Sequence, residues 1–158
     1  MPSIVRKNAA GTESRGKMKT VVVTAALIIE EGKILVTQRK KDSPHGFLWE
    51  FPGGKVKEGE EPREALRREL MEELDVEAEV GMIFDAVFHS YPEYPILLLV
   101  YYCGIVKGAP KPLGSLRLKW VDLRGLERLD MPPADGPICR HLASLEMNHG
   151  KGTEGKVC

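Results

Sequence analysis

Cysteine is scarce in this chain: three residues among 158, Cys103, Cys139 and Cys158, with no CxxC pair. That count excludes a disulfide scaffold, offers no thiolate metal spacing and fits a reducing compartment such as the cytoplasm. Net charge is lacking as well. Lys plus Arg number 23 and Asp plus Glu 23, which excludes a globally basic partner of a nucleic acid polymer. Long apolar runs are missing too. The longest, Ile96 to Cys103, is about half of what a membrane-crossing helix needs, so no membrane partner is expected. The opening MPSIVRKNAAGTESRGKMKT carries no apolar signal-type stretch, which points away from export.

What is present is enough for one core. Hydrophobic residues make up 42% and charged residues 29%, the balance of an ordinary folded domain. Residues 1–18 and 149–158 are polar and aperiodic, which predicts two loose tails around a single domain over 19–148. No repeat or linker divides that span.

Val21–Glu30 is apolar and β-branched and reads as a strand buried on both faces. Glu31-Gly32-Lys33 then turns the chain into a returning strand, Ile34–Arg39. Further strands are predicted at Leu48–Phe51, stopped by Pro52-Gly53-Gly54, and at Val76–Val80, Ile83–His89, Ile96–Val106 and Leu116–Val121. A helix is predicted over Pro62–Leu74, with Pro62 in its first turn and acids at Glu60, Glu61 and Glu64 near its positive end. Leu123–Leu129 reads as a short helix, and a last one begins after Asp135, burying Ile138, Leu142 and Leu145. Strands mixed with two principal helices imply an α/β or α+β sandwich.

The first of those helices carries the chemistry. With Glu69 at the origin of a helical wheel, Glu72 and Glu73 fall about 60° to one side and about 40° to the other, so three carboxylates share a face. Leu66, Leu70 and Leu74 form the adjoining stripe, and Ala65 leaves room on the acidic face for another segment. Such crowding repels by a few tenths of a kcal/mol per exposed pair. A divalent cation would relieve it, and hard oxygen donors select Mg²⁺ or Mn²⁺ over zinc. The plain alternative is a solvated face whose glutamates pair with Arg67 or Arg68.

Gly54–Val76, GKVKEGEEPREALRRELMEELDV, resembles the Nudix box at Gly54, Glu60, Arg68, Glu69, Leu70, Glu72, Glu73 and Val76. The preceding WEFPGGK and the later PPAD at Pro132–Asp135 resemble the MutT-like branch, and the likeness runs from about residue 20 to 147. The resemblance implies an α/β/α sandwich around a central mixed sheet and hydrolysis of a nucleoside diphosphate linked to another group. It assigns Glu69, Glu72 and Glu73 to Mg²⁺, with Glu60 as an auxiliary ligand or a partner of the helix terminus, the Gly54 carbonyl as a further ligand and Arg68 orienting a box glutamate. Glu72 or Glu73 would activate water. Arg39 and Lys55 would contact phosphate, though either is also readable as a solvated charge; Phe51, Phe88 and Tyr91 are aromatic candidates for stacking on the base, with plain core packing as the alternative for each. Asp135 either reads the base edge, favouring cytosine or guanine donors, or caps the last helix.

Two positions depart from the family pattern. Asp75 stands where the box has glycine; Asp is among the residues that tolerate the left-handed helix end. Gly114 stands where MutT-like loops often carry a glutamate, which leaves the general base to the box or to Glu93. The histidines 45, 89, 141 and 149 lack metal spacing and read as incidental, and Cys103 as a buried small hydrophobe. The expected activity is a Mg²⁺-dependent nucleoside triphosphate pyrophosphohydrolase, acting on oxidised dGTP or a cytosine nucleotide, as a monomer or homodimer. Hydrolysis of a nucleotide sugar, ADP-ribose or dinucleoside polyphosphate, and a non-catalytic nucleotide-binding module, are the alternatives.

Overall fold

The computed structural model describes residues 18–152. The expected tails fall outside that span, except Met18 and the stretch to Gly152, through which the last helix continues. In chain order the elements are β1 (Val21–Glu30), β2 (Lys33–Gln38), β3 (Trp49–Glu50), β4 (Gly53–Lys55), α1 (Pro62–Leu74) and β5 (Glu77–Ser90). There follow β6 (Pro95–Lys107), β7 (Arg117–Val121), α2 (Leu123–Glu127), a 3₁₀ turn at Pro133–Asp135 and α3 (Gly136–Gly152).

β1 organises the sheet. It lies parallel to β6, from Val21 opposite Ile96 to Ile28 opposite Cys103, and antiparallel to β2 and β4. The order is β3-β2-β1-β6-β5, with β7 paired to β2, so the sheet is mixed. Because side chains alternate along a strand, β1 feeds two cores. Ala25 and Leu27 join Val36, Phe51, Phe84 and Ile138 on the α3 side. Ala26 and Ile28 meet Leu66, Leu70 and Leu74 of α1 on the other. This is the sandwich expected from a strand apolar on both faces.

Two strand boundaries differ from expectation. Val76–Val80 and Ile83–His89 form one strand, β5, whose register against β6 shifts between Val80 and Ile83 and again before Asp85. Bulges absorb the irregular residues around Gly81 without ending the strand. Gly53-Gly54, expected to stop a strand, instead opens β4 against Thr24 and Ala25. A Cβ at Gly53 would collide with the Thr24 carbonyl oxygen and come within 2.8 Å of the Ala25 Cα. Glycine is required there by close backbone approach.

Candidate active site

Helix α1 is fixed at both ends by its own sequence. The Glu61 side chain caps the start by accepting from the Glu64 N–H, and Pro62 occupies the first turn. At the far end Asp75 takes the left-handed conformation, φ 57° and ψ 41°, while its N–H bonds to the Met71 carbonyl. Aspartate thus fills the position where the box has glycine. Leu66, Leu70 and Leu74 are fully buried, which aims the glutamate face at the loop entering β4.

The glutamates are arranged around an arginine. Arg68 bonds both oxygens of Glu60, at 2.8 and 2.9 Å, reaches Glu69 at 2.9 Å and Glu72 at 3.3 Å, and donates to the Lys55 carbonyl. Glu60, bonded by Arg68 and by the Lys57 N–H, is held down to about 2, and the carboxylates around Arg68 strengthen its positive charge. Glu60 is therefore a partner of Arg68 and not part of the cavity wall. Glu69 presses its carboxylate against Gly54: a Cβ there would lie 2.6 and 2.7 Å from its two oxygens. Glu72 is the outermost of the three, with a side chain 56% exposed.

Among the described residues no cation forms an ion pair with Glu73. Burial first, then the charges of Glu69 and Glu50, push its carboxyl up to about 8. Among the described residues, no three acidic or histidine side chains already converge on one metal-sized point. The donor set nonetheless suits a hard divalent cation: Glu69, Glu73 and Gly54 line one cavity and offer oxygen donors, and of the two glutamates only Glu69 has a cation bonded to it among the described residues.

That cavity, of about 870 Å³, is lined by these glutamates and by Arg39, Glu50, Lys55, Phe51, Tyr91 and Asp135. Arg39 donates Nε to the Pro44 carbonyl at 2.6 Å and Nη1 to Glu50 Oε2 at 2.7 Å. Lys55 Nζ sits 5.1 Å from the Tyr94 ring centre. Asp135, on the 3₁₀ turn that leads into α3, is 7% exposed, and burial, reinforced by the Glu50 charge, raises it to about 8. Among the described residues its carboxylate makes no hydrogen bond to α3, so the capping role is not shown. No buried side-chain oxygen in the described residues lacks a partner, so the unpaired Asp135 oxygens face the cavity.

The NUDIX domain family matches residues 18–142. The chain is a MutT-like Nudix hydrolase. It is 55% identical to the CTP pyrophosphohydrolase of Escherichia coli K12 over 128 residues, 81% of this chain and 95% of that protein. It is 31% identical to the 8-oxo-dGTP diphosphatase of the same organism over 129 residues, 81% of this chain and all of that one. Among solved structures, the E. coli ORF135 protein superposes with a TM-score of 0.71 at 34% identity, covering 82% of this chain and 92% of that one. The MutT protein of Methanosarcina mazei Go1, at 24% identity and a TM-score of 0.72 over 86% and 99%, shares the fold.

Against the Nudix pattern the structure places the remaining expected residues unevenly. Phe51 and Tyr91 line the cavity, and the Tyr91 hydroxyl accepts from the Ala134 N–H at 3.1 Å. Phe88 is 62% exposed and does not line it, because strand alternation points it to the opposite face from Val87. Glu93 reaches the cavity rim, and so does His45, tilted on Tyr91 at 5.1 Å and thus not incidental in position. His141 bonds Asp85 at 3.0 Å and stacks on Phe84, away from the site; His149 lies outside the residues described with side chains. Burial raises the Cys103 thiol to about 12, as suits a small hydrophobe.

Gly114 explains the loop departure. Its N–H and that of Leu113 donate to the Glu73 carbonyl, and a Cβ at 114 would meet Glu73 Cγ at 2.8 Å. The loop closes on Glu73, leaving no space for a second carboxylate at that position. Glu50 is the residue that sequence reading missed. The available signal was an acid set between two core aromatics, Trp49 and Phe51, both buried: a charge enclosed by apolar neighbours needs a partner.

Proposed function

We propose that this Nudix hydrolase is a divalent-metal-dependent nucleoside triphosphate pyrophosphohydrolase, releasing a monophosphate and pyrophosphate, with cytosine nucleotides as its preferred class. The observation that carries the reading is one cavity lined both by the α1 glutamates Glu69 and Glu73 and by a buried Asp135 whose carboxyl makes no hydrogen bond to a described residue. A nucleotide fits that polarity, phosphates toward Glu69 and Glu73 and base toward Asp135. Glu69, Glu72, Glu73 and the Gly54 carbonyl would hold Mg²⁺ or Mn²⁺, with Arg68, braced by Glu60, keeping the carboxylates in place. Such an ion, when bound, offsets phosphate charge and lowers the pKa of water.

The chain's own residues supply the rest. Arg39 and Lys55 offset charge on the phosphates. Glu73, which lines the cavity beside Glu69, accepts the proton of the attacking water at its carboxylate once its charge is balanced. Phe51 and Tyr91 border the base. Burial keeps Asp135 largely protonated near neutrality, and a neutral carboxyl presents one donor and one acceptor. Cytosine matches it with N3 as acceptor and its amino group as donor. The 55% identical relative named CTP pyrophosphohydrolase supports the same choice.

Oxidised dGTP is the second reading. The ionised form of Asp135 accepts only, and matches the two adjacent donors of a guanine edge. Initial rates of pyrophosphate release for cytosine, guanine, oxidised guanine, adenine and uracil triphosphates test this. Cytosine should lead at pH 6.5 and lose ground to guanine forms by pH 9; a base-independent rate at both pH values refutes the assignment of Asp135.

A further inference from the structure

β5 is the last strand in the sheet order, and among the described residues no strand pairs with its outer side. It is also long, 14 residues from Glu77 to Ser90, where a typical strand has about five or six. An open edge of that length offers a row of backbone donors and acceptors to any extended chain. Edges are commonly blunted by lysine or proline, and β5 contains neither. Instead it exposes Met82, Ile83 and Phe88, apolar side chains that favour burial against another chain.

Two other side chains occupy that edge. Gly81 sits in the register shift between Val80 and Ile83 and has no partner residue on β6; its carbonyl accepts from Arg63 Nε of α1 at 3.3 Å. The guanidinium rests over the Tyr101 ring, 5.0 Å from its centre. Five residues on, the Ala86 N–H donates to Asp85 Oδ1 at 2.8 Å, so its single hydrogen is turned away from β6. Asp85 is itself pinned, because Oδ2 bonds His141 Nδ1 of α3 at 3.0 Å. One acceptor and one donor of the edge are thus taken by side chains anchored to the two helices that flank the sheet. Phe88 follows Ala86 in unbroken register with β6, and antiparallel pairs alternate every second residue, so the Phe88 backbone groups face outward as well.

A strand laid along β5 needs a continuous run of these groups. The occupant that matches the edge throughout is β5 of a second copy. A strand paired antiparallel with itself is related by a two-fold axis, so both edges are satisfied at once and the assembly closes as a dimer. We propose that Arg63 and Asp85 keep the enzyme monomeric by holding β5 closed against the β5 of another molecule, and that removing them opens a latent dimer surface. The bulges around Gly81 twist the edge but leave backbone groups unpaired; the two side chains are what satisfies them.

Sedimentation velocity on the full chain, across a wide concentration series, reads the association directly. Wild type should keep the mass of one chain, 17.6 kDa. Arg63→Met, which keeps the bulk of an exposed side chain and removes its donors, should self-associate at least about tenfold more strongly than wild type. With Asp85→Ala added the gain should reach about a hundredfold, with a species of twice the mass, since each freed group is used twice in a two-fold pair. Asp85→Asn keeps an oxygen for the Ala86 N–H and should stay monomeric. Phe88→Lys, placed on the double variant, puts a charge on the pairing surface and should return it to single chains. Melting curves and pyrophosphate release on each variant show that the fold is kept. A dimeric wild type overturns the proposal, as does a folded double variant that stays monomeric at every concentration. So does association of Asp85→Asn equal to that of Asp85→Ala, which would assign the effect to lost charge, or association that Phe88→Lys does not reverse. If Asp85→Ala does not fold, Arg63→Met decides alone, and a monomer at every concentration then overturns the proposal.

Discussion

Replacing Gly54 by alanine should disable the enzyme while leaving it folded. A Cβ at this position would lie 2.6 and 2.7 Å from the Glu69 oxygens, where ordinary contact begins near 3.4 Å. Its nearest neighbour, Glu69 Cδ, would be only 2.4 Å away, so the carboxylate must retreat by about 1.0 Å (3.4 minus 2.4). What yields is the end of a side chain and not backbone, so the stability loss is about 1 kcal/mol, or roughly 2–4 °C in Tm for a chain of this size. Activity is far more sensitive, because a displacement near 1 Å costs up to about a hundredfold in a positioned site. Gly53→Ala is the contrasting control. Its Cβ would strike the Thr24 carbonyl and crowd the Ala25 Cα at 2.8 Å, backbone that cannot swing aside, so the loss there should be of fold. Calorimetry and pyrophosphate release on both variants decide the matter. Gly54→Ala with wild-type kcat/KM, or Gly54→Ala unfolded and Gly53→Ala unaffected, would refute the placement of Glu69 against that loop.

Three further outcomes follow from the same geometry. Glu72→Gln and Glu73→Gln should each cut turnover at least about a hundredfold, and Glu73→Gln should raise the Tm of the metal-free protein, because it removes a buried charge crowded by Glu69 and Glu50. Asp135→Asn should match wild-type stability near pH 4 and gain on it as pH rises. The folded carboxyl titrates near 8, above its ordinary 3.8, so the stability tied to its proton is complete below the unfolded pKa and lost as pH climbs to about 8; with solvent relaxation in the cavity the gain at pH 8 is about 2 kcal/mol, read by denaturant melts at both pH values. Asp75→Gly should stabilise α1 by about 0.5–1 kcal/mol, since glycine occupies the left-handed helix end without strain; a fall in Tm would contradict the cap assignment.

Much of this was legible before any coordinates. The limits of α1 could be read because Pro62 and the acids mark its start and Asp75 its end, and a 3.6-residue period fixes which side chains converge. The double burial of β1 was visible in its unbroken apolar run. What escaped reading was tertiary. Nothing local says that β5 would pass through Gly81 as a bulge and continue, or that Gly53 serves close packing against Thr24 instead of stopping a strand. Phe88 carried the right residue type for base stacking, but its direction depended on a register set by those bulges. The role of Arg68 as the hub of Glu60, Glu69 and Glu72 was only partly readable. That Glu50 would pair with Arg39 depended on β2 and β3 lying side by side, a pairing no spacing within the chain announces.

The central claim is that the α1 carboxylates serve to hold a divalent cation against a phosphoanhydride. Its most direct test is the stoichiometry and metal dependence of cleavage of a cytidine triphosphate, followed with Mg²⁺, with EDTA, and with EDTA then excess Mg²⁺. One pyrophosphate per monophosphate, no turnover in EDTA and recovery on adding Mg²⁺ is the predicted result. Turnover that persists in EDTA, or orthophosphate as the released product, would contradict it.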